Sequence, residues 1–239
     1  MFAPWRWELL LRDWKVFAWG LGRTLEASGL ALLLALALGI VIGSLSLAPW
    51  RPLRWFNRAY VEVIQNTPLL VQTFFFYYGL PYVGIDLPVL AVGVLALGIY
   101  TAAFIAEVIR ASIQSIPRGQ YEAAYSQGFT YAQAMRHVIL PQAFRVALPP
   151  LTNQLINLVK NSQILALIPG YDLMYRADSW ASATLAYQVA YPVVALLYLS
   201  ITLPLATLAR RLERHLAKAY GRQEEEVERV ARVSGALSA

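Results

Sequence analysis

Five stretches of the chain stay apolar long enough to cross a lipid bilayer, and basic or polar segments separate them. They fall near residues 24–48, 61–80, 88–110, 138–162 and 184–209. Each matches the roughly 20 residues that a helix needs to traverse the hydrocarbon layer. The first is almost wholly Leu, Ala, Ile, Val and Gly. The second carries Gln65, Asn66, Thr67 and Pro68 in its first half. The third is apolar until Glu107, the fourth is the least hydrophobic, and the fifth ends at Arg210 and Arg211. The pattern predicts an all-α integral membrane fold with five transmembrane helices.

Composition agrees. Of 239 residues, 58% are hydrophobic and 14% charged, whereas a soluble domain carries about 25% charged residues. With no cysteine, disulfides, thiolate metal sites and cysteine nucleophiles are excluded. The two histidines, His137 and His215, form no ligand motif, so no metal site is expected. A membrane enzyme would need a cluster of His, Ser, Asp or Cys, and none is evident. The net charge of +6 does not argue for nucleic acid, because basic residues gather in the cytoplasmic loops of membrane proteins.

Those charges predict an orientation. Arg51, Arg54 and Arg58 follow the first span, but only Asp86 follows the second. Arg110, Arg118, Arg136 and Arg145 follow the third. Asp172, Arg176 and Asp178 follow the fourth, and Arg210, Arg211, Arg214, Lys218 and Arg222 follow the fifth. The alternation places the N-terminus outside and the C-terminus in the cytoplasm. Residues 1–23 carry Arg6, Arg12, Lys15 and Arg23 among several tryptophans, which predicts an amphipathic helix lying on the outer membrane surface. The first apolar run exceeds the roughly 7–15 residues of a signal-peptide core, so it reads as an uncleaved span. The chain divides into a membrane domain, 1–220, and a charged cytoplasmic tail, 221–239.

Ala27, Ala31, Ala35, Gly39 and Gly43 recur every fourth residue along the first span. Small residues let helices approach closely in lipid. The stripe predicts either packing inside one subunit or a dimer face.

The segment from about 111 to 141 is basic, comparatively polar and rich in helix formers. Glu122 suits the positive end of a helix dipole, Gly128 permits a sharp turn, and Pro141 suits the first turn of a following helix. This reads as a short cytoplasmic helix, a turn and a return to the membrane; a plain surface loop is the alternative. Glu122-Ala123-Ala124, Gly128 and Ile139-Leu140-Pro141, in that order, resemble the EAA motif of permease subunits in bacterial ABC importers. Thr67-Pro68-Leu69-Leu70-Val71-Gln72, Ala106-Glu107 with Arg110, and Ile116-Pro117-Arg118-Gly119-Gln120 look like the polar amino acid branch of that family. The similarity covers roughly residues 24–209.

The resemblance implies a type I ABC importer permease fold in the bacterial inner membrane, working by alternating access. It implies a coupling helix around 120–136, with Glu122, Ala123, Ala124 and Gly128 docking on an ATPase subunit. Its partners would be two ATPase copies, a second permease identical or closely related to this chain, an extracytoplasmic substrate-binding protein, an amino acid and the membrane lipid. The chain has no G-x-x-x-x-G-K-[ST] phosphate loop, so ATP and Mg would bind the partner subunit. No cofactor is expected in this chain, and no enzymatic activity. A channel or secondary transporter for a small polar solute is the other reading.

Asn153, Asn157, Lys160 and Asn161 share one face of the fourth span, followed by Ser162. Polar groups are costly in lipid, so this face should line a substrate path or hold helices together. In the family pattern an Asp often stands where this chain has Asn161. Lys160 at depth needs a partner, and Glu107 is the carboxylate expected to supply it. Gln65, Asn66, Thr67 and Gln72 of the second span would face the same path. Thr67-Pro68 either breaks that helix and frees backbone groups for a ligand or makes a structural kink alone.

Overall fold

The computed structural model describes residues 4–236 and the side chains of 5–214. Residues 1–3 and 237–239, the end of the charged tail among them, lie outside the described residues. The described chain is helical and contains no strand. In chain order the helices are α1 (Pro4–Arg12), α2 (Trp14–Leu45), α3 (Arg51–Gln65), α4 (Leu69–Phe74), α5 (Leu80–Tyr82), α6 (Val89–Gln114), α7 (Arg118–Ser126), α8 (Tyr131–Ala134), α9 (Leu140–Asn161), α10 (Leu173–Thr184) and α11 (Tyr187–Ala236). A π turn, Phe75–Gly79, joins α4 to α5, and another, Met135–Ile139, joins α8 to α9. A 3-10 turn, Ser162–Leu167, follows α9.

The α2–α6 pair is the most extensive helix contact, and small side chains make it so. Ala27, Ala31 and Ala35 are fully buried. A methyl group on Gly39 would stand 2.6 Å from Ile105 Cγ2. One on Gly43 would meet the Ala106 backbone at 3.1 Å. From the other side, Gly98 accepts Leu34, whose Cδ2 would lie 2.7 Å from an added Cβ. The small-residue stripe therefore packs inside the subunit, and the dimer-face reading gives way. With few side-chain atoms between the backbones, dispersion contacts and close approach replace the hydrophobic effect, which does not draw helices together in lipid.

The other elements attach to this pair. Asn57 Nδ2 donates to Ile42 O of α2 at 2.8 Å. Tyr60 Oη and Gln65 Nε2 donate to Ile99 O and Ala103 O of α6 at 2.8 and 3.3 Å. α9 packs on α6, and α11 on α9. The start of α10 presses on α2 at Gly20, where an added Cβ would lie 2.8 Å from Leu173 Cα. Thr24 Oγ1 accepts from Leu173 N at 3.0 Å. The buried Asp172 caps α10 by accepting from the amides of Met174 and Tyr175.

Three helices are long and apolar enough to cross a membrane: Trp14–Leu45, Val89–Gln114 and Tyr187–Arg214. The expected second span is divided between α3 and α4. The expected fourth, α9, contains Pro149, Pro150 and the polar face. The N-terminal expectation needs a change of boundary. A separate surface helix over 1–23 is not what forms: α1 stops at Arg12, and α2 already starts at Trp14. At 32 residues α2 is about 48 Å long, more than the ~30 Å hydrocarbon layer needs. Asp13 fixes the elbow between the two, pairing with Arg12 and accepting from Trp180 Nε1 at 2.9 Å.

The seam yields a paired test. Gly39→Leu forces an overpacked contact of about 1–3 kcal/mol and should lower the thermal midpoint in mild detergent. Gly29→Ala, where nothing lies within 4 Å of the added Cβ, should leave the midpoint unchanged or slightly raised.

Candidate functional site: coupling elbow, broken helix and polar face

α7 begins after Pro117 and ends in a turn dictated by Gly128. Gly128 takes φ +83, a left-handed conformation that other residues resist. Its amide donates to Tyr125 O at 2.9 Å, and the Phe129 amide donates to Ala124 O at 3.1 Å. These two bonds form a Schellman stop. Thr130 and Gln133 then make a capping box that starts α8, and the chain runs on through the π turn into α9. The coupling helix expected around 120–136 is two helices meeting at an elbow, because the turn expected at Gly128 ends the first at Ser126. Glu122 is the fifth residue of α7, and no acidic residue lies in the first turn. The helix-dipole argument for Glu122 therefore fails, since that effect fades beyond the first turn.

The elbow has an inner and an outer face. Ala124 is buried, while Glu122, Ala123 and Tyr125 are exposed. The inner face rests on a cluster of Ile113, Ile116, Met135, Ile139 and Ala143, against which Tyr121 and Val138 pack. Burial there pushes the Tyr121 hydroxyl above the ordinary phenol range. Gln142 Nε2 donates to Gln120 Oε1 at 3.2 Å, linking α9 back to α7. The result is a small helix held firmly from behind, with Glu122 and Ala123 presented outward.

The break between α3 and α4 falls at Asn66-Thr67-Pro68, as the sequence predicts. Its chemistry favours the structural kink over freed groups for a ligand, because side chains of this segment already occupy the carbonyls of Glu62, Val63, Ile64 and Thr67. Pro68 has no amide hydrogen, which leaves Ile64 O without its usual donor. Gln72 Nε2 supplies one at 2.9 Å and also donates to Thr67 O at 3.0 Å. Asn66 Nδ2 donates to Glu62 O, and Thr67 Oγ1 to Val63 O. Gln72 is 7% exposed, and its Oε1 is buried without a hydrogen-bond partner among the described residues.

The expected Glu107–Lys160 ion pair does not form. Glu107 accepts from Arg110 Nε at 2.8 Å and Nη2 at 2.5 Å. A cation one turn along the same helix is always within reach, whereas Lys160 lies on the exposed face of α9. Asn153 and Asn157 are exposed beside it, Asn161 is half-buried, and Ser162 is buried with its hydroxyl on Val159 O. α9 and α4 both pack against α6, which puts the polar face and the break on neighbours of one helix.

The model of the family described as "Binding-protein-dependent transport system inner membrane component" matches residues 35–221. The chain belongs to this family. It is therefore the membrane-embedded transport component of a binding-protein-dependent system. Among its relatives, a probable glutamine ABC transporter permease protein, GlnM, of Bacillus subtilis (strain 168) is 49% identical, covering 89% of this chain and 99% of its own. An L-cystine transport system permease protein, TcyB, of the same organism is 34% identical, covering 89% and 93%. The crystal structure of an amino acid ABC transporter with histidines superposes at TM-score 0.82 with 38% identity, covering 86% and 96% of the two chains. The MetNI methionine ABC transporter, at 22% identity and TM-score 0.68, covers 90% and 99% and shows the same permease fold.

Sequence reasoning missed two features of this permease. The first is the set of side-chain bonds from Asn57, Tyr60 and Gln65 to carbonyls of α2 and α6. Their spacings of three and five residues on an amphipathic helix were a signal. The second is the capping role of Gln72, legible in principle from a glutamine four residues after a proline. Gln72→Leu should strand Ile64 O and lower stability by about 1–3 kcal/mol. A fall in the detergent melting midpoint, absent in Val71→Leu on the exposed side of the same turn, would establish it. Gly128→Ala should cost about 1–2 kcal/mol and loosen α7, read as faster proteolysis at the elbow.

Proposed function

We propose that the chain is the permease subunit of an ATP-driven importer of a polar amino acid. Five spans, an outer N-terminus and a cytoplasmic C-terminus orient it in the inner membrane, with 221–239 as a charged cytoplasmic tail. It works as a dimer with itself or a close relative, on two ATPase subunits that hold ATP and Mg. An extracytoplasmic binding protein delivers the cargo. The amino acid transport functions named for its relatives support this reading, and the positive-inside alternation of the loops supports the orientation.

The observation that carries the proposal is the outer face of α7. A helix of nine residues stands at one end of the fold, rigidly backed and offering Glu122 and Ala123 outward. Glu122, Ala123, Ala124 and Gly128 form the joint to the ATPase: Gly128 fixes the elbow, Ala124 seats it, and the other two meet the partner. ATP-driven closure of the ATPase pair pushes α7, and α6 and α9 carry that displacement into the membrane. Alternating access follows when the cavity changes the side on which it opens.

Asn66, Thr67, Gln72, Glu107, Asn153, Asn157, Lys160, Asn161 and Ser162 belong to the substrate path. Within it Lys160 meets the substrate carboxylate, and the amides of Asn153, Asn157 and Asn161 meet its polar groups. The exposed α9 face supports this, because in lipid such a face requires something outside the chain to cover it. Glu107, bonded to Arg110, shapes the path through that pair.

Co-expression with the ATPase of its own system tests the joint. Glu122→Lys should abolish co-purification of the ATPase while the permease still folds with an unchanged melting midpoint; unimpaired co-purification would remove α7 from the coupling role. Asn161→Asp should favour cationic over neutral amino acids by about tenfold, the effect of roughly 1.4 kcal/mol from one new charge contact. Competition for uptake by arginine against glutamine reads that ratio.

A further inference from the structure

α3 carries three arginines that the coupling and substrate readings leave unused. Its buried side is tied to α2 and α6 through Asn57, Tyr60 and Gln65. Arg51, Arg54 and Arg58 are spaced three and four residues apart and therefore aligned along the helix, on the face that Gln65 continues. Together with Arg110 of α6 they line a cleft of about 540 Å³ that also contains Glu62 and Glu107.

The charges in this cleft do not cancel. Arg110 is committed to Glu107 and also donates to Gln114. Arg54 Nη1 donates to Ala48 O and Pro49 O at 2.6 and 2.8 Å, closing the loop before α3. Arg51 and Arg58 are exposed and make no side-chain hydrogen bond or ion pair among the described residues. Four guanidinium groups against two carboxylates leave two positive charges, with the two uncommitted arginines free to meet an anion.

Position narrows the anion. Ser46, just past the end of α2, and Arg110 and Gln114, in the last turns of α6, line the same cleft. It therefore lies where the apolar runs of two long helices finish, at the end of the fold from which α7 projects. Trp55, which lines it, is 71% exposed, and Trp50, just before α3, is 67% exposed. Exposed tryptophans at the end of an apolar span mark the membrane–water interface. Guanidinium groups bind phosphate with paired N–H donors, and basic pockets between helices at this depth suit anionic headgroups.

We propose that the Arg51–Arg58 cleft is a binding site for the phosphate of an anionic membrane lipid. The shared chemistry is a phosphate oxyanion held by two guanidinium groups. The exposed Trp55 in the cleft lining favours the lipid source, because glycerol and acyl groups can rest on it while a free phosphate has no use for it. Bound lipid would brace α3 against α6, next to the break that leads into α4.

The test uses the full-length chain in mild detergent with phosphatidylglycerol or phosphatidylcholine added, and native mass spectrometry to count retained lipid. Wild-type protein should retain phosphatidylglycerol in preference to phosphatidylcholine. Arg51→Gln with Arg58→Gln should lower phosphatidylglycerol retention roughly fivefold for each arginine removed, leaving phosphatidylcholine retention unchanged. Arg145→Gln, an exposed arginine on α9 outside the cleft, should retain lipid as the wild type does. If the pair does not fold, Arg58→Gln alone carries the test with its single fivefold loss. Equal retention of both lipids by the wild type, or undiminished phosphatidylglycerol on the cleft variants, overturns the site. Displacement of the lipid by an excess of inorganic phosphate, with no requirement for the tryptophans in Trp55→Ala, overturns the lipid source. None of these readouts depends on which solute is transported.

Discussion

Close approach of α2 and α6 is the constraint on which the rest of the structure depends. In lipid there is no hydrophobic gain in bringing two apolar helices together, so the pair must be stabilised by dense contact. Ala27, Ala31, Ala35, Gly39 and Gly43 on one helix meet Ala102, Ile105 and Ala106 on the other, and Leu34 fills the space at Gly98. This seam supplies a fixed frame. α3 hangs on it through three side-chain bonds to backbone carbonyls. α9 packs on its outer side, α10 is seated at Gly20 and Thr24, and α7 continues directly from α6. α7 is therefore joined to α6 through the chain and to α9 through the Met135–Ile139 turn on which it packs.

Two polar regions of the membrane domain behave in opposite ways. At the α3–α4 break, every carbonyl freed by Thr67 and Pro68 that is described above finds a donor within the chain, so that region is close to self-sufficient. On α9, by contrast, Asn153, Asn157 and Lys160 are exposed and receive no such internal bond. The first arrangement holds a bend in place; the second is complete only when a partner, substrate or water covers it. One acceptor is left over at the break: Gln72 Oε1 is buried without a hydrogen-bond partner among the described residues.

How much of this was legible in the sequence depended on whether the governing interaction is local. The Gly128 stop, the Thr67–Pro68 break and the α2 stripe follow from residue type and spacing, and all three are present. The helix-forming and membrane character of the chain was equally plain from its apolar runs. Lys160 and Glu107 were harder, because pairing them requires knowing how α6 and α9 are rotated, which hydropathy does not encode. Arg110, one turn from Glu107, was the local answer and prevailed. The start of α2 was misplaced because residues 14–23 mix charge with tryptophan, a composition that suits a surface helix and an extended span equally well. The bonds from Asn57, Tyr60 and Gln65 to neighbouring carbonyls are tertiary and left only an amphipathic trace.

On the proposed function, this fold converts ATP hydrolysis on a partner into directional movement of an amino acid. The most direct measurement is uptake of radiolabelled amino acid by proteoliposomes holding the permease with its ATPase, with ATP inside and the binding protein outside. The account predicts accumulation above the external concentration that disappears when either ATP or the binding protein is withheld. Flux through the permease alone, running downhill and indifferent to ATP, would contradict it.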